Sequence, residues 1–100
     1  MNVFIGRDNK LTLTLFQNGE AVTAGAITRA VFKIGDYAAD TEQAGDPIEL
    51  TEEATKVVLK PGLITGLVPG TFSGKLAVYD TEATNGIAWG GTIKLNVFSW

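Results

Sequence analysis

The chain has no cysteine and no histidine among its 100 residues. The first absence excludes a disulfide framework and thiolate metal sites. The second removes the commonest general base and the commonest metal ligand. Charge is also scarce, at 19% of residues with a formal net charge of -3. So low a charged fraction is not that of a highly charged disordered chain. The acidic balance supplies no positive surface to displace counterions, so no nucleic-acid partner is expected. No apolar run reaches the ~18 residues of a membrane-spanning helix, and no membrane partner is expected. Met1 to Asp8 lacks a basic start followed by an apolar stretch, so synthesis and folding in a cytoplasm are expected. Helical periodicity is missing as well; only Glu52-Glu53-Ala54 hints at a helical turn.

What is there is period two. Leu11, Leu13 and Leu15 alternate with Thr12 and Thr14, which puts the three leucines on one face of a strand. Asn18-Gly19 then signals a hairpin, because type I′ turns need positive φ, and Ala21-Val22-Thr23 returns as a short strand. Ile27 to Ile34 reads as a strand with Ala30, Phe32 and Ile34 inward and Arg29, Val31 and Lys33 outward. Residues 35–46 read as a loop, since Gly35, Asp36, Asp40, Gly45 and Asp46-Pro47 all favour turns. Pro47 to Thr51 reads as an edge strand, Thr55 to Lys60 as the next, and Lys60-Pro61-Gly62 as a break. Thr71 to Asp80 follows, with Phe72, Gly74, Leu76 and Val78 on one face. After Asn85-Gly86 comes a long last strand with Ile87, Trp89, Ile93, Leu95 and Val97 on one face and a bulge expected at Gly90-Gly91. About seven short strands in residues 1–100 predict one domain, an all-β antiparallel sandwich of immunoglobulin-like type.

Catalytic constellations are not evident. Ser73 and Lys75 lie at i, i+2 on one face of a strand and read as solvent-facing residues; a dyad would need a desolvated lysine. Asp36, Asp40, Glu42, Asp46, Glu49, Glu52 and Glu53 concentrate negative charge between Lys33 and Lys56. Their spacing matches no calcium loop, so a solvated acidic loop is expected and no metal. Gly86 to Gly91 lacks the Lys-Ser/Thr and the helix of a phosphate loop, and no cofactor is expected.

The aromatics are more informative. Phe32, Phe72 and Trp89 share parity with apolar neighbours and are expected in the core. Phe16, Tyr79, Phe98 and Trp100 have the opposite parity, and these four form the candidate interaction surface. Tyr37 and Trp89 are candidates for loop-borne ligand binding, because their rings could stack on sugars. Exposed strand edges offer another way for subunits to pair.

Arg7 to Leu15, Asn18 to Val22 and Gly25 to Ile34 resemble the opening of immunoglobulin-like domains in phage tail and baseplate proteins, most of all the N-terminal domain of baseplate upper proteins. Pro69 to Phe72, Lys75 to Asp80, Asn85 to Gly90 and Ile93 to Val97 are similar to the last hairpin of small virion proteins. The resemblance implies an immunoglobulin-like sandwich without catalytic residues. It also implies a structural protein of a bacteriophage particle, in the tail, the baseplate or the capsid decoration. Its partners would be other virion proteins and copies of itself, and its location the virion. Two other readings stay open: a glycan- or receptor-binding module, and a small acidic inhibitor of a host protein.

Overall fold

A computed structural model describes residues 1–17, 20–21, 27–51, 56–80 and 87–100; within strands, residues 16–17, 20–21 and 87–91 are described by their backbone. Ten strands run in chain order: β1 (Asn2–Phe4), β2 (Leu11–Thr14), β3 (Phe16–Gln17), β4 (Glu20–Ala21), β5 (Arg29–Ile34), β6 (Tyr37–Asp40), β7 (Ile48–Thr51), β8 (Lys56–Leu59), β9 (Gly70–Tyr79) and β10 (Ile87–Phe98). A 3-10 turn, Pro61–Leu63, follows β8 where the sequence breaks the strand. The main sheet has the order β1-β10-β9-β5-β6, the second sheet β2-β8-β7, and β3 pairs with β4. The protein is an all-β, sandwich-like structure.

The alternation of the sequence sets which faces meet. Ala30, Phe32 and Ile34 of β5, Leu76 and Val78 of β9, and Leu95 and Val97 of β10 are buried. They meet Leu15, Ile48, Val57 and Leu59 from the second sheet and its flank. Arg29 and Lys33 face outward, as their parity requires. Leu11 and Leu13 pack against this core while Thr12 and Thr14 are exposed. The Asn18-Gly19 dipeptide lies outside the described residues; the strands on either side of it pair Phe16↔Ala21 and Gln17↔Glu20. The expected returning strand is described only at Glu20–Ala21. The helical hint at Glu52-Glu53-Ala54 and the Asn85-Gly86 turn lie outside the described residues.

Three features differ from the sequence reading. Residues 35–46 are not one loop: Gly35-Asp36 is a tight turn between the paired residues Ile34 and Tyr37, and β6 returns along β5. Gly35 has φ 59°, a left-handed conformation that glycine adopts at no steric cost. The aspartates that suggested turns flank a strand of four residues, too short for a clear period. The sheet is also not purely antiparallel. β1 runs parallel to β10, in the register Asn2↔Asn96 to Phe4↔Phe98, and its three residues are likewise too few to announce themselves. Finally, the strand read across residues 11–15 breaks at Leu15, so β2 joins the second sheet and β3 turns away to β4.

The expected bulge in β10 is present. Trp89 stands opposite Leu76 and Ile93 opposite Gly74, so four steps on β10 match two on β9. Gly74 is buried, and a Cβ at this position would run into the ring of Phe32 on the neighbouring strand. That ring is fully buried. Gly74→Ala is therefore expected to lower the unfolding free energy by about 1–3 kcal/mol through overpacking, read from the midpoint of urea unfolding; an unchanged midpoint would show that the ring can move aside.

Candidate functional site

The outward-facing aromatics divide between the two ends of the main sheet. At one end a turn begins as β1 leaves the sheet. The Arg7 N–H donates to the Phe4 carbonyl at 3.1 Å, and Gly6 sits between them with φ 80°. Glycine at the third position with this φ makes a type II turn. The Gly6 N–H donates to the Gly62 carbonyl at 2.8 Å, which ties the turn to the 3-10 segment. The chain reversal carries Arg7 over Trp100, with the guanidinium carbon 4.3 Å from the ring centroid. Phe4 stacks on Phe98 at 5.6 Å between centroids and meets Trp100 edge-on at 5.7 Å. Aromatic contacts and a cation over an indole ring are each worth about 0.5–1.5 kcal/mol at partly exposed sites. The cluster nevertheless leaves Phe98 44% and Trp100 75% exposed.

This patch joins two of the four predicted surface aromatics. Phe98 and Trp100 lie together, but Tyr79 is at the far end of β9, roughly 30 Å along the strand from Gly70 at ~3.3 Å per residue. There it is half-buried, with the Arg29 guanidinium carbon 4.8 Å from its ring centroid. The side chain of Phe16 lies outside the described residues. Phe4 and Arg7 were missed in the sequence. The available signal was Gly6 followed at three residues by Asn9, two residue types that tolerate positive φ. It marks a tight reversal that returns the chain to β1.

Asn9 does more than turn the chain. It has φ 41°, and its side chain covers the outer edge of β1. The Phe4 N–H donates to Asn9 Oδ1 at 3.3 Å, and Asn9 Nδ2 donates to the carbonyls of Phe4 at 2.9 Å and Arg7 at 2.8 Å. The amide thereby imitates a neighbouring strand. The opposite margin of the sheet is closed in a related way, because the Asp40 N–H of β6 donates to Asp46 Oδ2 at 3.0 Å. At Phe4 and Asp40 the outward backbone groups of these two edge strands thus have partners within the chain.

The acidic stretch is also not simply a solvated loop. Asp40 lies in β6 and forms a two-pronged pair with Arg29: Nε donates to Oδ1 at 3.0 Å and Nη2 to Oδ2. Glu42 Oε2 is 3.7 Å from Arg29 Nε. The guanidinium holds the Asp40 carboxyl below its ordinary pKa, through the hydrogen bonds first, and the carboxylate in turn raises the pKa of Arg29. Arg29 thus bridges β5, β6 and the Tyr79 ring of β9. Among the described residues no group of three or more acidic side chains could hold a metal ion. Ser73 and Lys75 are both exposed. Tyr37 is the first residue of β6, half-buried, with its ring edge-on to Phe72 at 6.4 Å. Trp89 lies within β10 rather than in a loop, and its side chain is outside the described residues.

Two outcomes are expected. Asn9→Ala leaves the Phe4 N–H unpaired at a part-buried edge, its carbonyl keeping the Arg7 N–H, and should cost about 1–3 kcal/mol, measured by urea unfolding, with faster hydrogen exchange at the Phe4 amide. Asp40 has a depressed carboxyl pKa in the folded state, so its stabilisation is present above the unfolded value of about 4 and is lost as pH falls below it. In Asp40→Asn that part of the acid destabilisation should vanish when melting temperature is followed from pH 6 to pH ~2; a wild-type-like slope would remove Asp40 from the account.

No protein-family model matches the chain, and no curated protein is significantly similar to it.

Proposed function

We propose that this chain is a non-enzymatic structural protein of a bacteriophage particle, a tail, baseplate or capsid-decoration component that works through repeated contacts with other virion proteins. The observation that carries this reading is the patch of Phe4, Phe98, Trp100 and Arg7. Large aromatic rings and an arginine are the side chains that anchor protein interfaces, and here Phe98, Trp100 and Arg7 stand exposed beside the half-buried Phe4 at the sheet margin. The sequence resemblance to phage tail and baseplate domains points the same way. A repeated subunit needs only a modest contact per copy, because each copy meets several neighbours and the contacts act together. The occupied backbone groups at Phe4 and Asp40 fit such a role: at those positions they favour side-chain contacts over strand pairing. The exposed Lys75 beside Ser73 retains its hydration and is a poor candidate for an activated amine.

Mass spectrometry of purified particles is the direct check. The polypeptide is expected at a fixed copy number per particle through gradient purification. Its absence from intact particles overturns the reading.

A further inference from the structure

Charge is distributed unequally across the two margins of the main sheet. The β1 margin carries the aromatic patch together with Arg7, Lys94 and the Met1 ammonium, which donates to the Lys94 carbonyl at 3.0 Å. Arg7 makes no ion pair among the described residues; it sits over Trp100. Asp8, the nearest acid in sequence, is 3.9 Å from Lys60. The opposite margin, where β6 and β7 pack together, is acidic. Glu42 has a side chain 62% exposed, Glu49 is exposed, and Asp46 lies beside Glu49 in a shallow cleft that also admits Lys60. Four strand spacings, roughly 19 Å, separate β1 from β6 in the main sheet, while Glu49 stands on β7 of the second sheet.

We propose that the Phe4–Phe98–Trp100–Arg7 patch of one copy docks on the acidic Glu42–Asp46–Glu49 margin of a second copy, head to tail. This rests on the structural-protein reading above and specifies its contact. Charge complementarity selects the occupant: two patches face to face would set Arg7 and Lys94 against their own equivalents, and like charges in close apposition are unfavourable. The opposite margin supplies carboxylates for Arg7, whose guanidinium matches a carboxylate with paired N–H groups. Each copy keeps one unused half of the contact, so the association propagates to a closed ring or a filament, according to the rotation between copies. Asn9 and Asp46 occupy the backbone groups at Phe4 and Asp40, which leaves the join to side chains.

Sedimentation of the purified chain over a range of concentration and salt tests this. Association is expected to weaken about tenfold between low salt and ~0.5 M salt. Two double variants separate the faces: Phe98→Ser with Trp100→Ala on the patch, and Glu42→Lys with Glu49→Lys on the acidic margin. Each alone should be monomeric, and their mixture should form one-to-one pairs that do not grow, because each brings the half the other lacks. Should the aromatic variant fail to fold by circular dichroism, Arg7→Glu, at an exposed residue, takes its place in the mixing experiment. Pairs formed by the acidic-margin variant alone would show a patch-to-patch contact and overturn the proposal, as would a mixture that stays monomeric. A wild-type chain that is monomeric at all concentrations but present in purified particles overturns the self-contact and leaves the particle reading standing.

Discussion

The packing of Phe32 over Gly74 is the contact on which the placement of everything else depends. Among the described residues Phe32 is the largest fully buried side chain, and it lies where a neighbouring strand has no side chain at all. A shift of register by one residue would bring the exposed Ser73 or Lys75 to that place and reverse every inward residue of β9. Because β9 is hydrogen-bonded on both sides, to β5 and to β10, fixing it fixes both. The bulge in β10 then absorbs two extra residues before the strand continues to Phe98, and β1 follows β10 in register. The position of the aromatic patch is thus the end point of a chain of pairings that starts in the core.

The two ends of the main sheet use arginine in different ways. At one end Arg29 is bound on two sides, by Asp40 and by the Tyr79 ring, and acts as a clip across three strands. At the other, Arg7 rests on Trp100 alone among the described residues and remains exposed. An arginine held by a carboxylate has little left to offer a partner. One held only by a ring keeps its N–H groups and has lost part of its rotational freedom in advance. The difference in surroundings, rather than in residue type, separates a structural element from a surface suited to recognition.

The long elements were legible because alternation over six or more residues leaves little choice of face. Ala30, Phe32 and Ile34, and Gly74, Leu76 and Val78, all fall on the side their parity demands. The bulge at Gly90-Gly91 was also readable, since paired glycines inside a strand pattern have few other uses. Strands of three or four residues were not. β1 holds too few residues to show a period, and β6 is framed by Asp36 and Asp40, whose side chains otherwise argue for turns. For the candidate site, parity placed Phe98 and Trp100 outward but could not say that Tyr79 lies at the far end, because parity carries no information about distance along the sheet. Phe4 and Arg7 joined the patch through the parallel β1–β10 pairing, a contact between residues more than ninety positions apart that no local pattern encodes.

That same parallel pairing has a consequence for how the molecule comes into being. β1 lies more than ninety positions before the residues of β10 with which it pairs. On a ribosome β1 must therefore wait for β10, and β5 likewise waits for β9. The main sheet therefore closes only once β9 and β10 are both available. Pairings so distant in sequence carry a large loop-closure cost before they return any stability, and this places the chain among the slower-folding domains of its size.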